Sequence, residues 1–182
     1  LICAPSTKRA KTTSALSWGS DSAYTSALGA ISPDGRVNTT ALITLLPEDG
    51  RIAEDGYRLP KAFQFCKEKG TKYFLPSKEE AMVLRANKDM INTKDLYYTD
   101  SALLFGNVST QRWWTSSEDT TTTATTFHTG ASGTVLVSRS RTESNYVCPV
   151  RYAPIFGEEE DEPDAVTETP VIITPTSTSG SI

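Results

Sequence analysis

Histidine is nearly absent: His128 stands alone in 182 residues. That removes most His-based metal centres and leaves nucleophilic catalysis a single candidate base. Cysteine is scarce too. Cys3, Cys66 and Cys148 lie far apart with no C-x-x-C pair, so their spacing encodes no zinc knuckle. Three is an odd number, which permits at most one internal disulfide; reduced core cysteines are the plain reading. No apolar run approaches the ~20 residues of a membrane span, so membrane insertion is not expected. Basic charge is also short, with 18 Lys and Arg against 22 Asp and Glu and a net charge of −4. Lys8, Arg9 and Lys11 form the one basic grouping and read as a solvated turn. No nucleic-acid partner is expected from such a balance.

What remains is enough for one core, with 37% of residues hydrophobic and 9% aromatic. The opening Leu-Ile-Cys-Ala-Pro, without Met, reads as a strand already under way, as expected of a processed product or a fragment. Ala15-Leu16-Ser17-Trp18-Gly19-Ser20 offers a second strand anchored by Trp18. Ser32-Pro33-Asp34-Gly35-Arg36 is a turn signal, and Asn38 is expected to cap a helix that Pro47 and Gly50 end. Leu59, Ala62, Phe63 and Cys66 share one face of a second helix, closed by Gly70. The third helix is the best marked. Ser77 and Glu80 have capping-box spacing behind an extended Leu75-Pro76. Met82, Val83, Ala86 and Met90 fall on its expected buried face, with Arg85 toward solvent.

From Tyr97 onward, β-branched and aromatic runs are divided by Gly, Asn and Ser and read as an antiparallel meander. Helices first and short strands afterwards define an α+β fold. Residues 1–156 are expected to form the domain, and residues 157–182 an acidic, then Thr/Pro-rich, exposed tail. Within that tail Val171-Ile172-Ile173-Thr174 is a sticky patch, suited to a sheet edge of this domain or of a neighbouring chain.

In this order, over residues 1–154, the chain resembles a family of C-type-lectin-fold domains of bacterial surface proteins and phage fibres. That family includes the target proteins of diversity-generating retroelements. The resemblance rests on Ala4-Pro5, Trp18-Gly19, Asn38-Thr39 and Leu75-Pro76-Ser77-Lys78-Glu79-Glu80, then on Trp114 with Ser116-Ser117-Glu118 and on Val150-Arg151. It departs at Tyr73-Phe74, at Ala81, where the family prefers Leu, and at Cys148, where Arg is common. The resemblance implies two main helices packed on short antiparallel strands, with the first and last strands paired. It would bring the three cysteines into one neighbourhood and implies a Cys66–Cys148 bridge.

Function then narrows. His128 has no Ser or Asp partner fixed by motif, Glu79-Glu80 is explained by helix capping, and the Asp-Gly pairs are turn chemistry. An oxidising enzyme of the resembling fold uses paired cysteines, for which no closely spaced pair exists here. The Glu-Pro-Asn, Gln-Pro-Asp and Trp-Asn-Asp triplets of calcium-dependent lectins are missing as well, and Glu158–Glu162 reads as a solvated acidic run. No catalytic residue, metal or cofactor is expected. A binding face remains, where the resembling targets concentrate their substitutions. Its candidate residues are Arg112, Trp113, Thr121, Thr123, Thr125, His128, Ser138, Arg139, Arg141, Glu143 and Asn145, with Tyr97 and Tyr98 at the rim. Adjacent strand residues face opposite ways, so Trp114 is expected in the core and Trp113 outside, able to stack on a ligand. For the threonines alone, ordinary β-propensity is the competing explanation. The expected partner is a receptor protein or surface glycan in an extracellular setting, on a virion or bacterial surface. The rival is a capsid, fibre or pilus subunit that assembles with itself or a neighbour through its tail.

Overall fold

The computed structural model describes residues 1–4, 16–19, 30–44, 61–95, 105–106, 110–131, 133–153 and 171–172. Among them the chain forms an α+β arrangement of four helices and two small antiparallel sheets. In order these are β1 (Ile2–Cys3), α1 (Gly35–Thr44), α2 (Lys61–Glu68), α3 (Lys78–Ala86), α4 (Lys88–Asp95), β2 (Trp113–Glu118), β3 (Thr123–Phe127), β4 (Leu136–Ser140), β5 (Val150–Arg151) and β6 (Val171–Ile172).

α1 begins earlier than Asn38. Asp34 Oδ1 accepts the backbone N–H groups of Arg36 and Val37, so the aspartate of the turn signal is the cap. Asn38 is instead buried and bonds outward. Its Nδ2 donates to Ser32 O at 2.9 Å and Ser116 Oγ at 3.0 Å, and its Oδ1 accepts Ser32 N. α2 buries Ala62, Phe63 and Cys66 as its spacing predicts, and Gly70, at φ 139°, supplies the left-handed conformation just beyond its end. Leu59 lies outside the described residues.

The buried face of α3 is a correction. Ala81 and Leu84 are its buried residues, and Ile91 continues the stripe in α4. Met82 and Met90 are 37% and 41% exposed and Ala86 is exposed as well, while Val83 of the expected stripe is half-buried against the core. The break at Asn87 (φ −108°, ψ 13°) explains part of this, because one periodic face cannot run through it. Asn87 Nδ2 also donates to Val83 O at 2.9 Å, taking up a carbonyl from the last turn. Arg85 is half-buried and reaches Gly130 O at 3.2 Å.

The sheets run β5-β1-β6 and β2-β3-β4. The first and last strands of residues 1–154 do pair: Ile2 lies opposite Arg151 and Cys3 opposite Val150. Val171–Ile172 pairs with the other edge of β1, so the apolar patch of the tail meets this domain's own sheet. Phe74 and Val150 exchange backbone hydrogen bonds of 2.8 and 2.9 Å, attaching the approach to α3 to β5.

Two apolar cores lie on either side of these extended segments. One gathers Phe74, Leu84, Ile91, Phe105, Trp113, Phe127, Cys148 and Val150; the other gathers Trp18, Leu42, Phe63, Cys66, Leu75, Trp114 and Val147. The consecutive pairs Phe74/Leu75, Trp113/Trp114 and Val147/Cys148 each send one side chain to each core, as alternation along an extended chain requires. This corrects the cysteine pairing. Cys66 belongs to the second core, whereas Cys148 meets Cys3 in the first, with 3.2 Å between their sulfurs. Among the described residues, no helix is long and apolar enough to cross a membrane.

Candidate functional site

The frame of the site is β2. Buried on both sides, it carries Thr115, Ser116 and Ser117 in positions where apolar residues would be the ordinary choice. Each hydroxyl has a partner. Thr115 Oγ1 donates to Thr125 O at 2.8 Å, Ser116 Oγ accepts from Asn38, and Ser117 Oγ accepts Lys78 N at 2.9 Å. These bonds satisfy groups that would otherwise cost about 1–3 kcal/mol each in desolvation. They also tie β2 to the starts of α1 and α3, which gives the Trp-Ser-Ser-Glu segment a structural purpose.

The eleven candidate residues divide into frame and surface. Trp113 is the clearest correction: it is 0% exposed and packed against Phe105 and Tyr146, with ring centroids 4.8 and 4.9 Å away. Trp113 and Trp114 do face opposite ways, but both sides of β2 are covered. Thr125 is buried where β3 lies between β2 and β4. His128 is 0% exposed, contrary to an accessible strand or loop position. Its Nδ1 accepts Gly130 N at 3.0 Å, which leaves Nε2 carrying the proton toward Thr134 O at 3.1 Å. Burial lowers its pKa, and Arg112 and Arg85 push the same way, against the hydrogen bond to Thr134. A neutral imidazole used at both nitrogens is a loop fastener.

Arg141 is internal as well. It pairs with Glu118, both side chains almost wholly buried, donates to Thr120 O, and lies 4.8 Å over the Trp18 ring. Asn145, four residues further on, is buried too, and its backbone N–H reaches Leu16 O at 3.2 Å. Tyr97 and Tyr98 lie outside the described residues.

The surface set is Arg112, Thr121, Thr123, Ser138, Arg139 and Glu143, each exposed or partly exposed. Thr123 and Ser138 come together through Asp119, whose Oδ2 accepts Ser138 Oγ at 2.6 Å and Thr123 Oγ1 at 3.5 Å. Arg139 and Glu143 form an ion pair at 3.7 Å. Burial lowers the Arg112 pKa, with a further contribution from the Arg139 charge, so two guanidinium groups share this neighbourhood. Asp119 and Thr120 were missed because a turn residue that organises a face has the composition of any turn. By the β3–β4 register, Thr123 and Ser138 lie on the side of the sheet that Thr125 faces, whereas Arg139, opposite Ala124, points to the other, so the two groups share the outer strand β4 but not one face.

A separate recess of about 460 Å³ opens beside α1 and β5, lined by Arg36, Lys67, Lys72, Arg151, Tyr73 and Tyr152 among others. It includes none of the eleven candidates. Tyr152 donates its hydroxyl to Glu80 Oε1 at 2.6 Å, and Arg36 pairs with Asp34 at 3.7 Å. Among the described residues, no group of three or more His, Cys, Asp and Glu side chains is arranged to hold a metal ion. Compared with known proteins, the chain matches no family model, no curated protein and no solved structure.

Proposed function

We propose that this chain is a non-enzymatic recognition domain of C-type-lectin-like architecture, displayed on a phage fibre or bacterial surface. Its ligand is a receptor protein or surface glycan. The observation that carries this reading is the division of the β2–β3–β4 sheet. Trp113, Trp114 and Phe127 fix it from within, while Thr121, Thr123, Ser138, Arg139 and Glu143 stand on its accessible parts. Short hydroxyl side chains cost little entropy to order, and an arginine supplies an anchor, so this exposed edge around β4, with hydroxyls on one side and Arg139 on the other, suits contact with a partner. The one histidine is occupied structurally, which weakens a hydrolytic reading. The test is a binding screen of the labelled chain on a glycan array and on whole bacterial cells, beside the variant R112S/R139S/E143S. Saturable binding that the variant loses, with its melting temperature kept, supports the face; equal binding by both removes it.

A second reading has its own observation. Val171–Ile172 lies on the β1 edge, and a strand supplied from the same chain can also be supplied from a neighbour. In that reading the protein is a structural subunit whose tail joins copies or attaches it to a fibre.

A further inference from the structure

Two of the three thiols lie where a covalent link would join the first strand of the domain to its last. Cys3 ends β1, and Cys148 stands just before β5, its antiparallel partner. Ala4 N donates to Pro149 O at 2.9 Å, fixing the two backbones beside each other at this point. Both side chains are buried, at 1% and 0% exposure, and their sulfurs are 3.2 Å apart. A disulfide needs about 2.05 Å, so closing the gap asks for roughly 1 Å of movement, within reach of χ adjustments. Cys66 has no such neighbour: it lies in the second core, among Phe63, Leu75 and Trp114.

We propose that Cys3 and Cys148 are a disulfide-forming pair, oxidised by a small-molecule disulfide while the chain folds, and that Cys66 stays a thiol. The step balances. One cysteine thiolate attacks the small disulfide, forming a mixed disulfide and releasing one thiolate of the reagent. The second cysteine thiolate then attacks the protein sulfur of that mixed disulfide, forming Cys3–Cys148 and releasing the other reagent thiolate. The two cysteine protons end on the two reagent thiols, and the reagent is reduced by two electrons. Folding is the time for this, because both sulfurs are afterwards shielded. Once folded, Cys66 sits in the other core from Cys3 and Cys148, and burial pushes its thiol far above its ordinary range with Lys69 only partly opposing, so it stays a thiol.

The consequence is a staple across nearly the whole domain. It connects the β5-β1-β6 sheet to the segment carrying Val147 and Tyr146, and thereby to the tryptophan pair of β2. A chain so built reaches its full stability only in an oxidising setting.

The experiment is refolding of the full chain in a buffer of oxidised and reduced glutathione, followed by acid quench. Denatured protein is then titrated for thiols and digested without reduction for mass mapping. The expected result is one thiol per chain, an intact mass lower by about 2 Da, and a Cys3–Cys148 cross-linked peptide pair. Reductant should lower the melting temperature by roughly 10 °C, as expected for opening a long covalent loop. C66S should keep the cross-link and the reductant sensitivity, and C148S should lose both. Three titrating thiols in the folded, oxidant-equilibrated chain would overturn the proposal, as would a bridge containing Cys66. Should C148S fail to fold, the peptide map of the unmodified chain and of C66S decides alone.

Discussion

Tyr152 donates its hydroxyl to Glu80 across 2.6 Å, joining the residue after β5 to the first turn of α3. Glu80 has further partners. Its other carboxylate oxygen accepts Ser77 N at 2.8 Å, completing the capping box, and Gly35 N at 3.1 Å, where α1 begins. One side chain thus coordinates two helix starts and the end of the last strand of the domain. Gly35 is required for the approach, since a Cβ there would come within 2.3 Å of Leu75 O and 2.6 Å of Glu80 Oε2. Burial, then the bond to Glu80, raises the Tyr152 pKa above its ordinary value, keeping the phenol a donor.

Removing that junction should therefore cost more than removing a cap. S77A should lose about 1 kcal/mol, the usual value for an N-cap. E80A strips partners from three donors and should lose about 2–3 kcal/mol. G35A should be at least as damaging, because the contact it makes is with backbone. Urea unfolding of the three variants gives the ranking; an E80A loss no larger than that of S77A would show that the shared carboxylate adds nothing.

Two arginines two positions apart, at the end of β4, should behave oppositely. Arg141 pairs with Glu118 inside the protein, at side-chain exposures of 3% and 4%. R141A removes the guanidinium paired with a buried carboxylate and should cost about 3–5 kcal/mol. Arg139 pairs with Glu143 at exposures of 40% and 45%, so R139A should cost about 0–1 kcal/mol. Chemical denaturation measures both. Similar losses would contradict the separation of frame from surface.

His128 gives the fold a pH dependence of known sign. Its folded pKa is lowered, chiefly by burial, so the unfolded chain binds the proton more readily. The stability it supports is present above the unfolded value of about 6.5 and is lost as pH falls through the folded value. The added slope cannot exceed about 1.4 kcal/mol per pH unit for one proton. H128Q should flatten the difference in stability between pH 7.5 and pH 5, measured by urea unfolding. An unchanged slope would mean that another group carries it.

The two functional readings part at the tail. Light scattering on the intact chain and on a form lacking residues 158–182 should show monomers in both cases if Val171–Ile172 pairs only with its own β1. A defined oligomer that falls to monomer on truncation would favour assembly through the tail.

How much of this was legible in the chain depended on whether one segment decided the outcome. The Ser77–Glu80 cap, the Ala62/Phe63/Cys66 face and the α+β order follow from local spacing, and all three are present. The burial of Trp113 does not, because alternation says which side a residue faces but not whether that side is covered; helices and Phe105 cover it. Arg141 and His128 misled for a related reason. A polar side chain reads as a surface residue unless its partners are known, and here Glu118, Thr134 and Gly130, each distant along the chain or unremarkable in type, supply the partners that make burial possible. Met90 lies beyond the turn at Asn87 that ends the helical stripe, and Met82 lies one position off the buried face that Ala81 and Leu84 define. The acid that gathers Ser138 and Thr123, Asp119, carried no signal beyond that of a turn.

The most direct measurement is a paired substitution scan on cells displaying the chain, read for folding by protease resistance and for ligand capture with the surface that the binding screen identifies. Varied positions are Thr121, Thr123, Ser138, Arg139 and Glu143, set against Trp113, Thr125, His128, Arg141 and Asn145. Substitutions in the first group should leave folding intact and change capture, while those in the second should lose folding. If the first group proves as intolerant as the second, or changes freely without altering capture, the face is not a recognition surface.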